Sequence, residues 1–266
     1  MIELVEMICR SLLFVPSHVE KMVGKIASSQ ADCICLDLED AVPFDSKQKA
    51  RELIRNHLNS ELVQVDRTFV RVNPIESGMT LLDVDSTASP NLRGYIYPMA
   101  KTADDIVAFD AQLSLIESQH GIPKHHFAII PLIETPSAVE NLHAIANASS
   151  RIVGLLFGCE DYLAEIGGYH SDVECALLFP RSKIVNVAKS LGILAIDTPF
   201  VDVKNLDKLS IFSSRAKSLG MDGMLVLSPS QVEVANRVYT PTMSEIDAAN
   251  RIVEAKVEAQ KQGLGV

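Results

Sequence analysis

Tryptophan is absent from this sequence, and aromatic residues make up only 5% of its 266 positions. A folded core must therefore be built from aliphatic side chains, which is feasible because hydrophobic residues account for 47% of the chain. No run rich in lysine and arginine occurs, and the formal net charge is −10. These features exclude the basic footprint of a nucleic-acid-binding protein, so an anionic ligand must be held by a few individually placed cations.

Long hydrophobic runs are also lacking. No apolar stretch approaches the ~20 residues that a membrane-spanning helix needs. The opening MIELVEMICRSLLFVP has neither the basic region nor the cleavage site of a secretory signal peptide. The five cysteines form no C-x-x-C pair, and Cys33 and Cys35 alternate within an apolar run, which is typical of buried free thiols. We therefore expect a protein of the reducing cytoplasm, with no membrane or nucleic-acid partner.

Short apolar runs recur along the chain, and each is nearly continuous rather than alternating. That pattern is typical of strands covered on both faces, as in a parallel sheet. Eight runs are predicted as strands: residues 12–15, 33–38, 68–73, 94–99, 128–133, 152–157, 193–196 and 223–227.

Segments with helical periodicity lie between several of these runs. Helix starts are expected at Ser17, paired with Glu20 in a capping box, at Thr102, and at Thr135 ahead of a proline. Eight strands alternating with helices in a chain of this length predict an α/β fold, one (β/α)8 TIM-barrel domain over residues 1–266. An open doubly wound sheet is the alternative, but it needs a glycine-rich turn after the first strand, where this sequence has Val-Pro-Ser-His.

An additional C-terminal helix is predicted from residue 244 to about residue 262. Its apolar stripe consists of Ile246, Ala249, Val253 and Val257. Such a stripe must pack either on the barrel or on a neighbouring subunit, and the second possibility is an indication of a homo-oligomer.

Charged and polar side chains follow several of the predicted strands. In TIM barrels the active site lies at the carboxyl ends of the strands, and a charge placed directly after a buried strand needs a partner or a ligand. The residues found there are Asp37, Glu39 and Asp40 after the second run, Arg71 and Asn73 in the third, Glu134 after the fifth, Glu160 and Asp161 after the sixth, and Asp197 after the seventh. The sequence therefore predicts that several of these side chains meet at one mouth.

The acidic set includes no histidine or cysteine at ligand spacing, and oxygen ligands favour Mg²⁺ or Mn²⁺ over zinc. We select Glu134 and Asp161 as metal ligands, the alternative being that each caps a helix or pairs with an arginine. Asp37, Glu39 and Asp40 either orient Arg71 and bound waters or take part in catalysis directly.

Arg71 interrupts an apolar run, which is typical of a forked donor for a carboxylate or an enolate oxygen, or of a cation that balances buried acids. Arg10, beside the first strand, is a candidate to meet a phosphate or to remain solvated. Asp197 is a candidate structural residue. His18 is the one histidine close to the end of the first strand.

Several motifs together resemble the citrate lyase beta-subunit family of the HpcH/HpaI aldolase/citrate lyase group. They run in order over almost the whole chain: RSLLFVP at 10–16, LDLEDAVP at 36–43, RVN at 71–73, IET at 133–135, FGCEDY at 157–162, AIDTP at 195–199 and PSQV at 229–232.

The resemblance implies a Mg²⁺-dependent barrel, usually trimeric, that acts on 3-hydroxyacyl thioesters. It implies Glu134 and Asp161 as metal ligands and Arg71 as the substrate-binding arginine. The resemblance and the position of these residues at the carboxyl ends of the predicted strands together define the expected site. Catalytic roles are expected for Arg71, Glu39 and Asp40, substrate-binding roles for Arg71, Glu134, Arg10 and Asp37, and metal binding for Glu134 and Asp161.

Three features depart from the family pattern. Met99 stands where many members have a lysine after proline, and Ser228 stands where the eighth strand of most members is followed by histidine. The sequence ends at residues 263–266, whereas longer lyases continue into a segment that forms a lid and supplies an aspartate to a neighbouring subunit. We therefore expect a short member without that lid.

The leading hypothesis is a carbon–carbon lyase that cleaves citramalyl-CoA, malyl-CoA or citryl-CoA into an acyl-CoA and a 2-oxo acid. Two alternatives stay open. One is a metal-dependent aldolase that acts on a free oxo acid without CoA. The other is a non-catalytic subunit that binds an oxo acid within a larger complex.

Overall fold

Eight parallel strands close into a barrel in the order of the chain, with the first strand also paired to the last. The computed structural model describes residues 7–60, 65–171 and 173–262. The strands are β1 (Ser11–Pro16), β2 (Cys33–Asp37), β3 (Thr68–Arg71), β4 (Gly94–Tyr97), β5 (Ala128–Ile133), β6 (Gly154–Phe157), β7 (Leu194–Asp197) and β8 (Gly223–Val226). The TIM-barrel fold predicted from the sequence is therefore confirmed, with all eight strands at the expected places.

Apolar side chains cover both faces of the strands, as their continuous hydrophobic runs predict. Successive residues of a strand point to opposite faces, so Leu12 and Phe14 belong to a cluster inside the barrel. Leu13 and Val15 belong to a larger cluster that lies between the strands and the outer helices. Both cysteines of β2 are buried free thiols in the inner cluster, as expected.

Helices form the outer layer of the barrel. They are α1 (Glu20–Val23), α2 (Lys47–Leu58), α3 (Thr80–Thr87), α4 (Ala103–Gln119), α5 (Pro136–Glu140), α6 (Leu142–Ala146), α7 (Cys159–Ile166), α8 (Cys175–Leu191), α9 (Leu206–Leu219), α10 (Pro229–Tyr239) and α11 (Met243–Lys261). None of the described helices is both long enough and apolar enough to cross a membrane.

Two of the three predicted helix starts are confirmed. Thr102 forms a capping box with Asp105 at the start of α4, and the Thr135 hydroxyl accepts a hydrogen bond from an amide of α5. The predicted capping box at Ser17 is wrong. The Ser17 hydroxyl donates to the carbonyl of Val15, so it is engaged with the strand end and the short α1 begins after residue 19 without a side-chain cap.

The last helix, α11, follows the barrel as predicted, but the described part of the chain does not cover its apolar stripe. No residue of α11 is buried, and Ile246, Val253 and Val257 are 39%, 60% and 45% exposed. Residues 1–6 and 263–266, on which the expectations about a leader and about the C-terminal end partly fall, lie outside the described residues.

Candidate active site at the carboxyl ends of the strands

Arg71 and Asp37 are the last residues of the neighbouring strands β3 and β2, and strand pairing places them side by side. The Nε and Nη2 atoms of Arg71 donate to the two carboxylate oxygens of Asp37, each over 2.7 Å. Both side chains are buried. Parallel fork-to-carboxylate hydrogen bonds fix the plane of the guanidinium group, so Asp37 holds Arg71 in one orientation at the mouth of the barrel.

Two further acids face the same guanidinium group. The Nη1 atom of Arg71 lies 2.6 Å from Glu39 Oε2 and 3.6 Å from Asp40 Oδ2. The approach of Glu39 is an ion-pair contact whose angles are not those of a directed hydrogen bond, because Oε2 has no hydrogen-bond partner among the described residues. Burial is the largest single influence on the pKa of Arg71 and lowers it, but the charges of Asp37 and Glu39 and the hydrogen bonds to Asp37 together outweigh burial and raise that pKa, so Arg71 stays charged.

The backbone of the segment after β2 is fixed by hydrogen bonds to two buried side chains, Asp37 and Lys47. Asp37 accepts hydrogen bonds from the amides of Glu39 and Ala41, over 3.0 Å and 3.1 Å. The buried ammonium group of Lys47, in the first turn of α2, donates to the carbonyls of Leu38 and Glu39, over 2.6 Å and 2.8 Å. Lys47 was not singled out from the sequence, where it lies in a polar stretch with no marking pattern.

The chain leaving β3 turns away from the mouth. The amide and side chain of Asn73 donate to Asp83 Oδ2 over 2.8 Å and 2.7 Å, and Arg51 donates to Asp83 Oδ1 over 2.7 Å. All three side chains are buried. Asn73 therefore anchors the segment behind Arg71 and does not face the ligand space.

Glu134 follows the last residue of β5 and is 4% exposed. Its Oε1 atom accepts a hydrogen bond of 2.7 Å from the amide of Met99, whose φ of 52° lies in the left-handed region. A Cβ atom at Gly158 would lie only 2.9 Å from Glu134 Oε2. Glycine at the end of β6 therefore leaves the room that this carboxylate needs.

The electrostatics of the site link these residues to Asp161, which is exposed in the first turn of α7. Burial raises the pKa of Glu39 to about 8 and that of Glu134 to about 7. Burial also raises the pKa of Asp161, and the charge of Asp40 adds to this effect. The charges of Arg71 and Asp40 influence the pKa of each of the three acids, so all three lie near these two side chains.

The residues present fit a hard divalent cation. Glu134 and Asp161 offer carboxylate oxygens, the donors that Mg²⁺ prefers. Burial is the largest cause of the raised pKa values of Glu134 and Asp161, and the charges of neighbouring acids raise them further, so their ionised forms carry a free-energy cost. A cation bound between Glu134 and Asp161 would remove that cost.

Four other residues considered from the sequence lie elsewhere or have other partners. The expectation that Arg10 binds substrate is corrected. Arg10 precedes β1, so it lies at the opposite end of the barrel, where its guanidinium group binds Asp32 over 2.8 Å. Asp197 is structural and accepts two hydrogen bonds from Arg181, of 2.9 Å and 2.8 Å.

Glu160 pairs with His170 rather than with Arg71, over 2.9 Å. His18 follows β1 at the mouth end, and its Nδ1 atom is buried without a hydrogen-bond partner among the described residues.

Comparison with known proteins shows which family the chain matches. A model of the HpcH/HpaI aldolase/citrate lyase family matches residues 10–229. The citrate lyase subunit beta of Haemophilus influenzae is 34% identical over 97% of this chain and 88% of its own length. The mitochondrial citramalyl-CoA lyase of Rattus norvegicus is 30% identical over 96% of this chain and 78% of its own length.

Solved structures agree with the sequence matches. Protein CitE from Mycobacterium tuberculosis, in complex with magnesium, acetoacetate and coenzyme A, matches with a TM-score of 0.77 and 26% identity. The match covers 94% of this chain and 88% of that one. The citrate lyase beta subunit of the same organism, complexed with oxaloacetate and magnesium, has a TM-score of 0.72 and 26% identity over 88% of this chain and 98% of its own.

Asp37, Arg71, Glu134 and Asp161 all lie within the matched range of the family model. That range spans most of the chain, and relatives at 30% identity or more cover nearly all of it. The chain therefore belongs to the HpcH/HpaI aldolase/citrate lyase family, and it is a lyase of the citrate lyase beta-subunit type.

Proposed function

We propose that the chain is a Mg²⁺-dependent carbon–carbon lyase. It cleaves a 3-hydroxyacyl-CoA thioester of the citramalyl-CoA, malyl-CoA or citryl-CoA type into an acyl-CoA and a 2-oxo acid. The observation that carries this proposal is the convergence of one oriented arginine, Arg71, with the carboxyl groups of Glu39, Glu134 and Asp161 at a single barrel mouth.

Glu134 and Asp161 are our proposed Mg²⁺ ligands. Glu134 keeps Oε1 on the Met99 amide and directs Oε2 toward the space beside Gly158, while Asp161 approaches from the first turn of α7. When bound, the ion would supply a Lewis acid and a template for the carboxylate and carbonyl of the oxo acid.

Arg71 is proposed to stabilise the negative charge that develops on the substrate. The paired hydrogen bonds that Arg71 donates to Asp37 hold the guanidinium group in place before any substrate arrives, so no reorganisation is needed during the reaction. Losing one such preorganised donor typically lowers the rate by ~10²–10³.

Glu39 is proposed as the proton acceptor. Its pKa of about 8 makes its carboxylate a stronger base than an ordinary glutamate and suits proton transfer near neutral pH. It takes the proton of the 3-hydroxyl group as the carbon–carbon bond breaks, and the electron pair of that bond passes to the thioester enolate. Returning the proton to the enolate carbon gives the acyl-CoA, so the proton count closes. Asp40, more exposed, contributes charge that raises the pKa of Glu39.

The relatives support this assignment of substrate class. They include the citrate lyase subunit beta, the citramalyl-CoA lyase and a (3S)-malyl-CoA thioesterase from Cereibacter sphaeroides that is 29% identical over 97% of this chain. We further propose a homotrimer, in which the apolar stripe of α11 contacts a second copy. Five free thiols support a reducing, cytoplasmic location.

A coupled cleavage assay tests the function directly. Purified protein is offered citramalyl-CoA, malyl-CoA and citryl-CoA, each with and without Mg²⁺, and the released oxo acid is measured. We expect Mg²⁺-dependent release from one thioester. Activity on the free hydroxy acids would instead indicate the CoA-independent aldolase, and binding of oxaloacetate or pyruvate without turnover would indicate the non-catalytic subunit.

A variant pair tests the metal assignment. In Glu134→Ala, Mg²⁺-dependent binding of pyruvate or oxaloacetate should disappear while the circular dichroism spectrum is unchanged. Glu233→Ala, which removes an exposed carboxylate from α10, is the matched control and should bind normally. Unaltered binding in Glu134→Ala would refute the ligand assignment.

A further inference from the structure

Three side chains of different chemistry meet at the start of α7. Glu160 Oε1 lies 2.9 Å from His170 Nε2 and 3.5 Å from Cys159 Sγ. One ligand atom of each residue lies within 4.8 Å of the other two. The Cys159 side chain is buried, whereas those of Glu160 and His170 are about half exposed, so the group opens to solvent on one side.

The path of the chain explains how His170 reaches this position. Helix α7 has eight residues and is roughly 12 Å long. It ends at Gly167 with a φ of 66°, and the amide of Gly168 donates to the carbonyl of Leu163 over 2.9 Å. This turn reverses the chain, and His170 returns alongside the helix to its first turn.

The first turn of α7 is itself fixed to the barrel. The amide of Cys159 donates to the hydroxyl of Thr198, just after β7, over 2.9 Å. Thr198 is fully buried. The thiol and the carboxylate of the group are therefore presented by a rigid element, and only the histidine is carried by a loop.

We propose that Cys159 Sγ, Glu160 Oε1 and His170 Nε2 form a second metal site, for a divalent transition ion of the Zn²⁺ class. Thiolate, imidazole and carboxylate are the ligands of such ions, at distances of about 2.0–2.3 Å. A tetrahedral ion at those distances separates its ligand atoms by about 3.5 Å, which is the observed distance between sulfur and oxygen. The shorter distance between Glu160 and His170 is that of the hydrogen bond the ion would replace.

The site shares no residue with the proposed Mg²⁺ site. Successive residues of a helix point about 100° apart, so Asp161 is directed away from Glu160. The donor sets also differ, because Glu134 and Asp161 offer only oxygen. The sequence does not mark this site, because His170 lies eight residues beyond the FGCEDY motif and at no recognised metal-ligand spacing from Cys159 or Glu160.

An ion in this site would have a structural consequence. It would join the first turn of α7 to the segment that follows the helix, at the mouth of the barrel. Three protein ligands leave the fourth position of a tetrahedral ion open to solvent or to a small ligand.

Cobalt is the probe that tests the site, because Co²⁺ replaces Zn²⁺ and its absorption spectrum reports its ligands. Co²⁺ is titrated into metal-free wild-type protein under reducing conditions. We expect a cobalt–thiolate charge-transfer band in the near ultraviolet and the intense visible bands of tetrahedral cobalt, saturating at one ion for the site. Only the weak visible spectrum of octahedral cobalt, with no thiolate band, would overturn the proposal.

Variants test whether the cobalt–thiolate band arises from Cys159 and His170. Cys159→Ser and His170→Ala should each lose it, with folding checked by circular dichroism. Cys175→Ser, which removes the exposed thiol, should keep it. Glu134→Ala should also keep it, so failure of the proposed Mg²⁺ site leaves this result unchanged. Retention of the band in both Cys159→Ser and His170→Ala would place the cobalt elsewhere and overturn the proposal.

Discussion

At the scale of single residues, the site depends on carboxyl groups that the fold keeps away from water. Burial is the largest cause of the raised pKa of Glu39, about 8, and of Glu134, about 7. In the unfolded chain both groups return to the ordinary glutamate pKa near 4.5. The folded protein therefore binds more protons than the unfolded chain between these values.

This difference predicts a pH-dependent loss of stability in the metal-free protein. Because the folded state holds the extra protons, the free energy of unfolding falls as the pH rises from about 5 to about 8.5. The pKa of Glu134 alone corresponds to roughly 3 kcal/mol over that range. Urea unfolding of metal-free protein at several pH values measures the slope, and Glu134→Gln should make the slope shallower.

The comparison with Glu134→Gln is needed because other groups also titrate. Burial lowers the pKa of His57, so the unfolded chain binds more protons at that residue, and its contribution to the free energy of unfolding rises with pH. The difference in slope between wild type and Glu134→Gln isolates the contribution of the Glu134 carboxyl group. Identical slopes in the two proteins would contradict a raised pKa at Glu134.

The placement of Arg71 and Glu134 can be read from the sequence, because each stands where an apolar run meets polar residues. The same rule fails for Arg10, which precedes its run and so lies at the other end of the barrel. The role of Gly158 depends on Glu134, which comes from a different strand. Only the folded barrel brings those two positions together.

At the scale of elements, the segment between β2 and α2 carries two of the proposed catalytic acids, and its backbone depends on one lysine. The Lys47 ammonium group is the hydrogen-bond donor for the carbonyls of Leu38 and Glu39. Since burial lowers the pKa of Lys47, the group already bears a cost for being charged inside the fold. This cost is offset by two charge-assisted hydrogen bonds.

Lys47→Met should therefore disturb the site without touching the ligand space. Two buried carbonyls lose their donor, which costs about 1–3 kcal/mol of stability. Released from this anchor, Glu39 should move relative to Arg71. We expect kcat/KM for thioester cleavage to fall about tenfold or more, with its pH profile shifted, because the environment of the proposed base changes.

The matched control for this experiment is Lys49→Met, which removes an exposed ammonium group two residues further along the same helix. It should retain both the rate and the pH profile. A purely structural role for Lys47 would lower stability but leave the pH profile of the folded enzyme in place, and that result would contradict a positioning role.

Strand prediction succeeded because β-strands buried on both faces leave a continuous apolar run, which needs no tertiary information. Capping was harder to predict. The motifs at Ser17 and Thr102 look alike in sequence, but only Thr102 caps its helix. At Ser17 the hydroxyl is fully buried against the end of β1 and bonds there instead. Local sequence could not reveal that competition.

At the scale of the whole molecule, α11 is the element without a covering surface in the described chain. Its length was predictable from the sequence, and a capping box between Thr242 and Glu245, which the sequence analysis did not predict, stabilises its first turn. Its contact with the barrel is limited, and Lys217 reaches Glu245 over 3.4 Å. What covers the apolar stripe could not be predicted, because periodicity identifies an apolar face and not its partner.

We expect a second copy of the chain to cover this stripe. In the double variant Ile246→Glu/Val253→Glu, two charges would be placed in that interface, and charges buried without partners oppose association strongly. Ala255→Glu adds a charge on the opposite face of the same helix and serves as the control. By sedimentation equilibrium, wild type and control should have three times the 29.0 kDa mass of the chain, and the double variant should have that of one chain. A wild-type mass of one chain, or an unchanged assembly in the double variant, would show that α11 does not hold copies together, and the stripe would then need another partner.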